Sequence, residues 1–262
     1  MDERDQLWEI NAGWWQEGFT EGADAEYAEQ LLPLAAEHLA GSSRILDVGC
    51  GEGQITRLAS ALPGVERAIG IDPTWAQLTA AASRRPVRGG PSLLARAGAA
   101  TLPFSAESFD AAVACLVFEH VVDVDGAIAE VARVLAPGGR FVFMLNHPLL
   151  QTPGSGWIDD HILDEQYWRI GPYLIEDEGV EEVDKDVFIP FIHRPVSRYV
   201  NAMARNGLYV TRMEEPAPPP GFLARAAEYE NAATIPRLLL LRAEKLVTPS
   251  GVDETSPGGR RR

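Results

Sequence analysis

The sequence is short of three things. It has two cysteines, Cys50 and Cys115, in 262 residues. That is too few for a disulfide framework, so a reducing compartment, the cytoplasm, is expected. No apolar run approaches the roughly 18 residues that suggest a membrane span. The opening MDERDQLWEI is acidic and polar, unlike a secretory leader. Positive charge is scarce: 23 Lys and Arg against 38 Asp and Glu leave a net charge of −15. Nucleic-acid binding relies on clustered Lys and Arg that displace counterions. The basic cluster Arg260–Arg262 merely ends a Ser/Pro/Gly-rich tail, so a nucleic-acid partner is not expected.

What is present is alternation. Residues from about 5 to 40 read as helix, with Leu31, Leu32, Leu34, Ala35 and Leu39 as a stripe and Gly41 as its stop. His38 on this helix is expected to be partly exposed. RILDVG (44–49), RAIGID (67–72), SLLARAG (92–98), FDAAVACLV (109–117) and GRFVFMLN (139–146) read as strands. QITRLASAL (54–62), a stretch near 75–85 and DGAIAEVARVL (125–135) read as the helices between them. Such alternation predicts an α/β fold with a parallel sheet covered on both faces. From about 147 to 192 the pattern breaks into Pro, Gly, aromatic and acidic residues without a clear period, the mark of a lid or binding insertion. A helix near 195–206 and strands at 208–215 and 237–245 close a single domain spanning 1–246. Residues 247–262 are expected to be disordered.

The first strand runs into ILDVGCGEGQIT (45–56). In open parallel sheets ligands bind beyond the carboxyl ends of the strands. Glycines there let a ligand approach the main chain without meeting a Cβ. The second strand ends in Asp72, whose carboxylate suits a ribose diol. A nicotinamide fingerprint needs G-x-G-x-x-G, but the sixth position is Gln54 and the loop carries Glu52, an awkward neighbour for a pyrophosphate. An acidic loop suits a ligand with a cationic centre and an ammonium group. On a structural reading, the same glycines merely make a tight turn and Asp47 braces it.

ILDVGCGEGQIT, IGIDPTWAQL, LPFSAESFDAAVACLVFEHV and EVARVLAPGGRFVF, in this order and spacing, resemble the class I S-adenosylmethionine-dependent methyltransferases. The nearest group is the small-molecule and quinone-type one. The match runs from about 44 to 146, and HRPVSRYVNAMARNGL (193–208) and IPRLLLLRAEK (235–245) are similar to its C-terminal part. The resemblance implies a Rossmann-like seven-stranded sheet of order 3-2-1-4-5-7-6 with one antiparallel strand. It also implies an N-terminal helical cap over about 1–41 and a lid over about 147–192. The implied cofactor is S-adenosyl-L-methionine. Asp47, Gly49 and Gly51, with Cys50 and Gly53 of the same loop, would hold its amino-acid end. Asp72 would take the ribose, Pro73 would flank the adenine, and Leu116 would lie beside the methionine moiety. Where the group usually carries an acid toward the adenine, this chain reads Gly98-Ala99-Ala100, which leaves the backbone at Ala99 to read the base. N-terminal aromatics fold over the cofactor in related enzymes, a role that Trp14, Trp15 and Tyr27 would fill.

Methyl transfer from a sulfonium is an in-line displacement, so alignment dominates. A nucleophile that carries a proton also gains from a general base. The candidates are His193, His147 and His120, with Glu119 as another; His161 falls within the insertion. Trp157, Tyr167, Trp168, Tyr173 and Phe188 would suit the wall of a pocket for a flat or apolar acceptor. No metal ligands are assigned, and a monomer or homodimer is expected. Three other readings compete: a methyltransferase acting on nucleic acid or protein, a cofactor-binding protein without turnover, and a nicotinamide oxidoreductase. Against the first, the place of a D/N-P-P-Y-type motif reads ACLVFEH, and neither cysteine follows a proline.

Overall fold

The computed structural model describes residues 3–84, 92–229 and 231–247. The tail expected from 247 onward lies outside the described residues apart from Val247. The chain starts with α1 (Glu3–Phe19), then a π-helical turn (Tyr27–Leu31) that runs into α2 (Leu32–Leu39). There follow β1 (Arg44–Val48), α3 (Gln54–Ser60), β2 (Arg67–Asp72), α4 (Trp75–Ser83), β3 (Ser92–Arg96), β4 (Phe109–Cys115), α5 (Val124–Val134) and β5 (Leu135–Asn146). The inserted part holds α6 (Pro148–Gln151), β6 (Gly156–Asp160), β7 (Glu165–Arg169), β8 (Asp177–Asp184) and β9 (Val187–His193). The end of the fold is α7 (Val196–Arg205), β10 (Leu208–Glu214), α8 (Pro220–Arg225), a 3-10 turn (Ala232–Thr234) and β11 (Leu238–Lys245).

Residues of the central strands alternate between two cores. Leu46, Ala112 and Phe141 face one core with Ile128 of α5 and Met203 of α7. Ile45, Val113 and Val142 face the other with Leu39 of α2 and Ala59 of α3. Burial on both faces is why these strands read as continuous apolar runs. The sheet order is β10-β11-β5-β4-β1-β2-β3. Counting only the strands of this sheet, that is the expected 3-2-1-4-5-7-6, and β11 is antiparallel to both neighbours. Asp123 caps α5 by accepting from Gly126 N at 2.9 Å, and a Cβ at Gly126 would fall 2.2 Å from that carboxylate.

The structure corrects four expectations. The N-terminal helix is broken between α1 and the π-turn, where Glu21 and Gly22 take φ of +55° and +85°. β4 stops at Cys115 because Leu116 turns left-handed, with φ +56°. His38 is buried at 2 % exposure, with Nε2 2.8 Å from Glu214 Oε1, rather than partly exposed. The insertion is not irregular: β6 pairs with β7 and β8 with β9 as two antiparallel hairpins. In β8 every residue but Val183 is exposed. A strand without a buried face leaves no alternation to read.

α1 is a strap over the carboxyl edge of the sheet. Toward α4, Glu9 accepts from Trp75 N and Ala76 N at 2.7 and 2.9 Å, and Gln16 Nε2 donates to Gln77 Oε1 at 3.0 Å. Toward the second hairpin, Asn11 Nδ2 donates to Phe188 O at 2.9 Å and Trp14 Nε1 to Asp184 Oδ2 at 3.1 Å.

Candidate active site

The strand order reverses between β1 and β4, and a cavity of about 420 Å³ opens beyond their carboxyl ends. Its base is the loop after β1. Gly49 takes φ +70°, and a Cβ there would meet Val117 at 2.5 Å, so nothing larger fits. Gly51 has φ +52° with nothing within 4 Å of where a Cβ would stand, which leaves bare main chain facing the cavity. Gly53 is the left-handed residue before α3 and does not line the cavity. Cys50 lines it, with its N donating to Ile71 O at 2.8 Å and its thiol pushed up by burial.

Two buried acids meet this loop. Asp72, at the end of β2, accepts from Gly51 N at 2.9 Å on Oδ2 and from Thr74 N at 2.8 Å on Oδ1. It therefore ties the glycine loop to the start of α4. Burial raises its carboxyl above the usual range, against the two amide bonds. Asp47 accepts from Thr56 Oγ1 at 2.6 Å, and burial pushes it up to about 7. The third acid departs from expectation. Glu52 is not available to a cationic ligand, because Arg57, at 2.7 Å, and Arg84 hold its carboxylate. The buried acids of this loop region that no Lys or Arg pairs with among the described residues are Asp47 and Asp72.

Pro73 and Thr74, Ala97–Thr101 and Val121–Asp123 continue the lining, and Trp8, Trp15 and Tyr27 join it from the N-terminal segments. Leu116 and His120 form the far wall.

A methyltransferase domain family matches residues 46–143. Among solved structures, an S-adenosylmethionine-dependent methyltransferase from Mesorhizobium loti is 30 % identical. The alignment covers 85 % of this chain and 98 % of that one, with a TM-score of 0.69. The chain belongs to the S-adenosylmethionine-dependent methyltransferases. A second methyltransferase of that kind, from Listeria monocytogenes, shares the fold at 22 % identity, covering 85 % of this chain and 98 % of its own, with a TM-score of 0.69. A demethylmenaquinone methyltransferase of Thermus thermophilus is 35 % identical over 47 % of this chain and 55 % of its own length. An uncharacterized methyltransferase of Bacillus subtilis is 36 % identical over 52 % and 51 %. The chain thus spans about half the length of the curated relatives it matches.

Among the residues that a methyltransferase reading singles out, Asp47, Gly49, Cys50, Gly51, Asp72, Pro73, Ala99, Leu116, Trp15, Tyr27 and His120 line one cavity. His147 and His193 do not. His147 caps α6, accepting from Leu149 N on Nδ1 at 3.2 Å, and pairs Nε2 with Glu215 at 2.8 Å. His193, at the end of β9, donates from Nε2 to Tyr173 O at 2.8 Å. It lines a separate space of about 30 Å³, together with Glu119. Glu119 accepts from Asn146 there, and burial pushes its carboxyl to about 7. Of the insertion aromatics, Trp157 and Trp168 line a separate space of about 130 Å³, and Phe188 is exposed. Trp8, missed at first, is seven positions before Trp15, and Phe19 four after it, the spacing of one helix face. Gly70 was missed too: a Cβ there would meet Thr56 Oγ1 at 2.5 Å and break the brace on Asp47.

Proposed function

We propose that the chain binds S-adenosyl-L-methionine in the larger cavity and transfers its methyl group to a small organic molecule. The observation that carries this reading is the pairing of bare main chain at Gly49–Gly51 with two buried carboxylates that no Lys or Arg neutralises among the described residues. Burying an uncompensated carboxylate is costly. A ligand that brings an ammonium and a hydroxyl pair removes that cost, so the residues fit this cofactor. Bound there, it supplies a methyl group already activated on a sulfonium.

In this reading Asp47 faces the ammonium end. Asp72 accepts from the ribose hydroxyls while its amide bonds hold the loop in register. Pro73 and the main chain at Ala99 flank the base. Leu116, Trp8, Trp15 and Tyr27 exclude water from the reacting carbon. His120 faces the acceptor side. Its Nδ1 is 2.7 Å from Pro190 O, and a carbonyl only accepts, so Nδ1 carries the proton and Nε2 presents a lone pair. A small-molecule acceptor is supported by relatives named as a demethylmenaquinone methyltransferase and an O-methyltransferase. The test is calorimetry with S-adenosylhomocysteine: saturable one-to-one binding is expected, and its absence in a folded sample rejects the reading.

A further inference from the structure

A second cavity, of about 330 Å³, lies against the first. Trp8, Trp15, Tyr27, Leu116 and His120 line both, so these five side chains form a common wall. On one side of the second cavity stands the aromatic face of α1, where Trp15 stacks on Phe19 at 4.4 Å between ring centres and 18° between planes. On the other stand Ile189 and Phe191 of β9 and Val183 of β8. The pairing of β8 with β9 slips between Glu182 and Asp184. Val183 is the extra residue of this bulge, and it is the one residue of β8 that is not fully exposed. Bulges re-aim side chains in this way. The charged groups at the rim cancel in pairs: Glu26 binds Arg237 at 2.7 Å and Asp24 binds Arg225 at 3.3 Å.

His120 stands in the common wall with its ring edge-on to Trp8 at 4.8 Å and tilted against Phe191 at 4.7 Å. Burial pushes its pKa down to about 4, so the ring is neutral at physiological pH. A slot lined by rings, without net charge, and ending at a neutral hydrogen-bond acceptor selects a particular chemistry. We propose that the second cavity is the acceptor site, and that it takes a neutral, planar aromatic molecule whose hydroxyl or amino group donates to Nε2 of His120. Val183 and Phe191 set how wide that molecule is. The inference rests on the reading that the first cavity holds the cofactor.

The step balances without a further reactant. The acceptor oxygen or nitrogen forms a bond to the methyl carbon, and the carbon–sulfur bond breaks with its electron pair left on sulfur. The methylated centre then carries the positive charge, which makes its proton strongly acidic. A base as weak as His120 suffices to take it.

The test uses the full chain saturated with S-adenosylhomocysteine and three fragment sets read by saturation-transfer NMR. The sets are neutral phenols and anilines, aromatic carboxylates, and cycloaliphatic alcohols of matched size. Hits concentrated at least about fivefold in the first set are expected, and Val183→Trp, which fills the cavity from its rim, abolishes them without changing affinity for S-adenosylhomocysteine. Gln151→Trp, from another part of the wall, replaces it if that variant fails to fold. Equal hit rates across the sets, no hits at all, or hits that survive the filling variant overturn the inference while S-adenosylhomocysteine still binds. Failure of S-adenosylhomocysteine to bind the unaltered chain brings down the cofactor reading, and this inference with it.

Discussion

The sheet from β1 to β5 and the segments laid over its edge, α1 and the two hairpins, follow different rules. In the sheet, every strand but the edge strand β3 buries side chains on two faces, and one residue rarely has freedom to do anything else: Gly49 abuts Val117, and Gly70 abuts Thr56. In the overlying segments most residues keep one side in water, and β8 is exposed along nearly its whole length. The comparison teaches where each kind of specificity lies. The part proposed to grip the cofactor is over-determined by packing. The part proposed to meet the acceptor is held by a few polar ties and a bulge.

The difference can be attacked from its strongest point. Gly49→Ala is expected to weaken S-adenosylhomocysteine binding about 100-fold by calorimetry, because the added methyl meets Val117 in a left-handed backbone. An affinity near that of the parent would show that the loop is softer than the packing implies. Asp72→Ala, which removes the acceptor for both Gly51 N and Thr74 N, should cost at least about tenfold.

Asp47 gives a test in pH. Its carboxyl titrates near 7 in the fold because burial opposes the charge. The cofactor's ammonium prefers the anion, so affinity should fall as pH drops below about 7, and Asp47→Asn should flatten that slope while weakening binding. Stability runs the other way for this residue. Its folded pKa is raised, so its contribution is full below the unfolded value, about 4, and is lost as pH rises toward 7. Cofactor-free Asp47→Asn should therefore melt higher than the parent at pH 8 and lose that advantage progressively as pH falls to about 4. His120, whose pKa is lowered by burial, makes the parent lose stability as pH falls from about 6.5 toward 4, so the comparison is the difference between variant and parent. The smallest effect belongs to the overlying segments. Trp157→Ala breaks the stack on Tyr229, 5.0 Å between ring centres, and should cost about 1 kcal/mol in urea denaturation with cofactor affinity unchanged.

The same division explains what could be read from the sequence. The strands and the glycine loop were legible because two-sided burial and positive φ both leave compositional marks, whereas the strand order followed only from the resemblance to a known family. Asp72 was legible from its place at the end of a strand. The role of Glu52 was not, since Arg57 is close in sequence but Arg84 lies 32 positions away and reaches it only in the fold. His147 and His193 were candidates beside His120, the first because it follows β5 on the sheet's carboxyl side and the second because it opens the HRP segment that leads into the helix after the insertion. Only packing decides which imidazole faces the cavity and which caps a helix or holds a distant carbonyl. β8 escaped notice because solvent on both sides removes the period by which strands are recognised, and the Trp8–Trp15–Phe19 face was visible but split by the more conspicuous Trp14.

One consequence of the strap remains. Trp8 and Trp15 roof both cavities at once, and α1 is fastened on one flank by Glu9 and Gln16 and on the other by Asn11 and Trp14. A displacement of that one helix would therefore reshape both compartments together, so that whatever shifts it from one side is felt on the other.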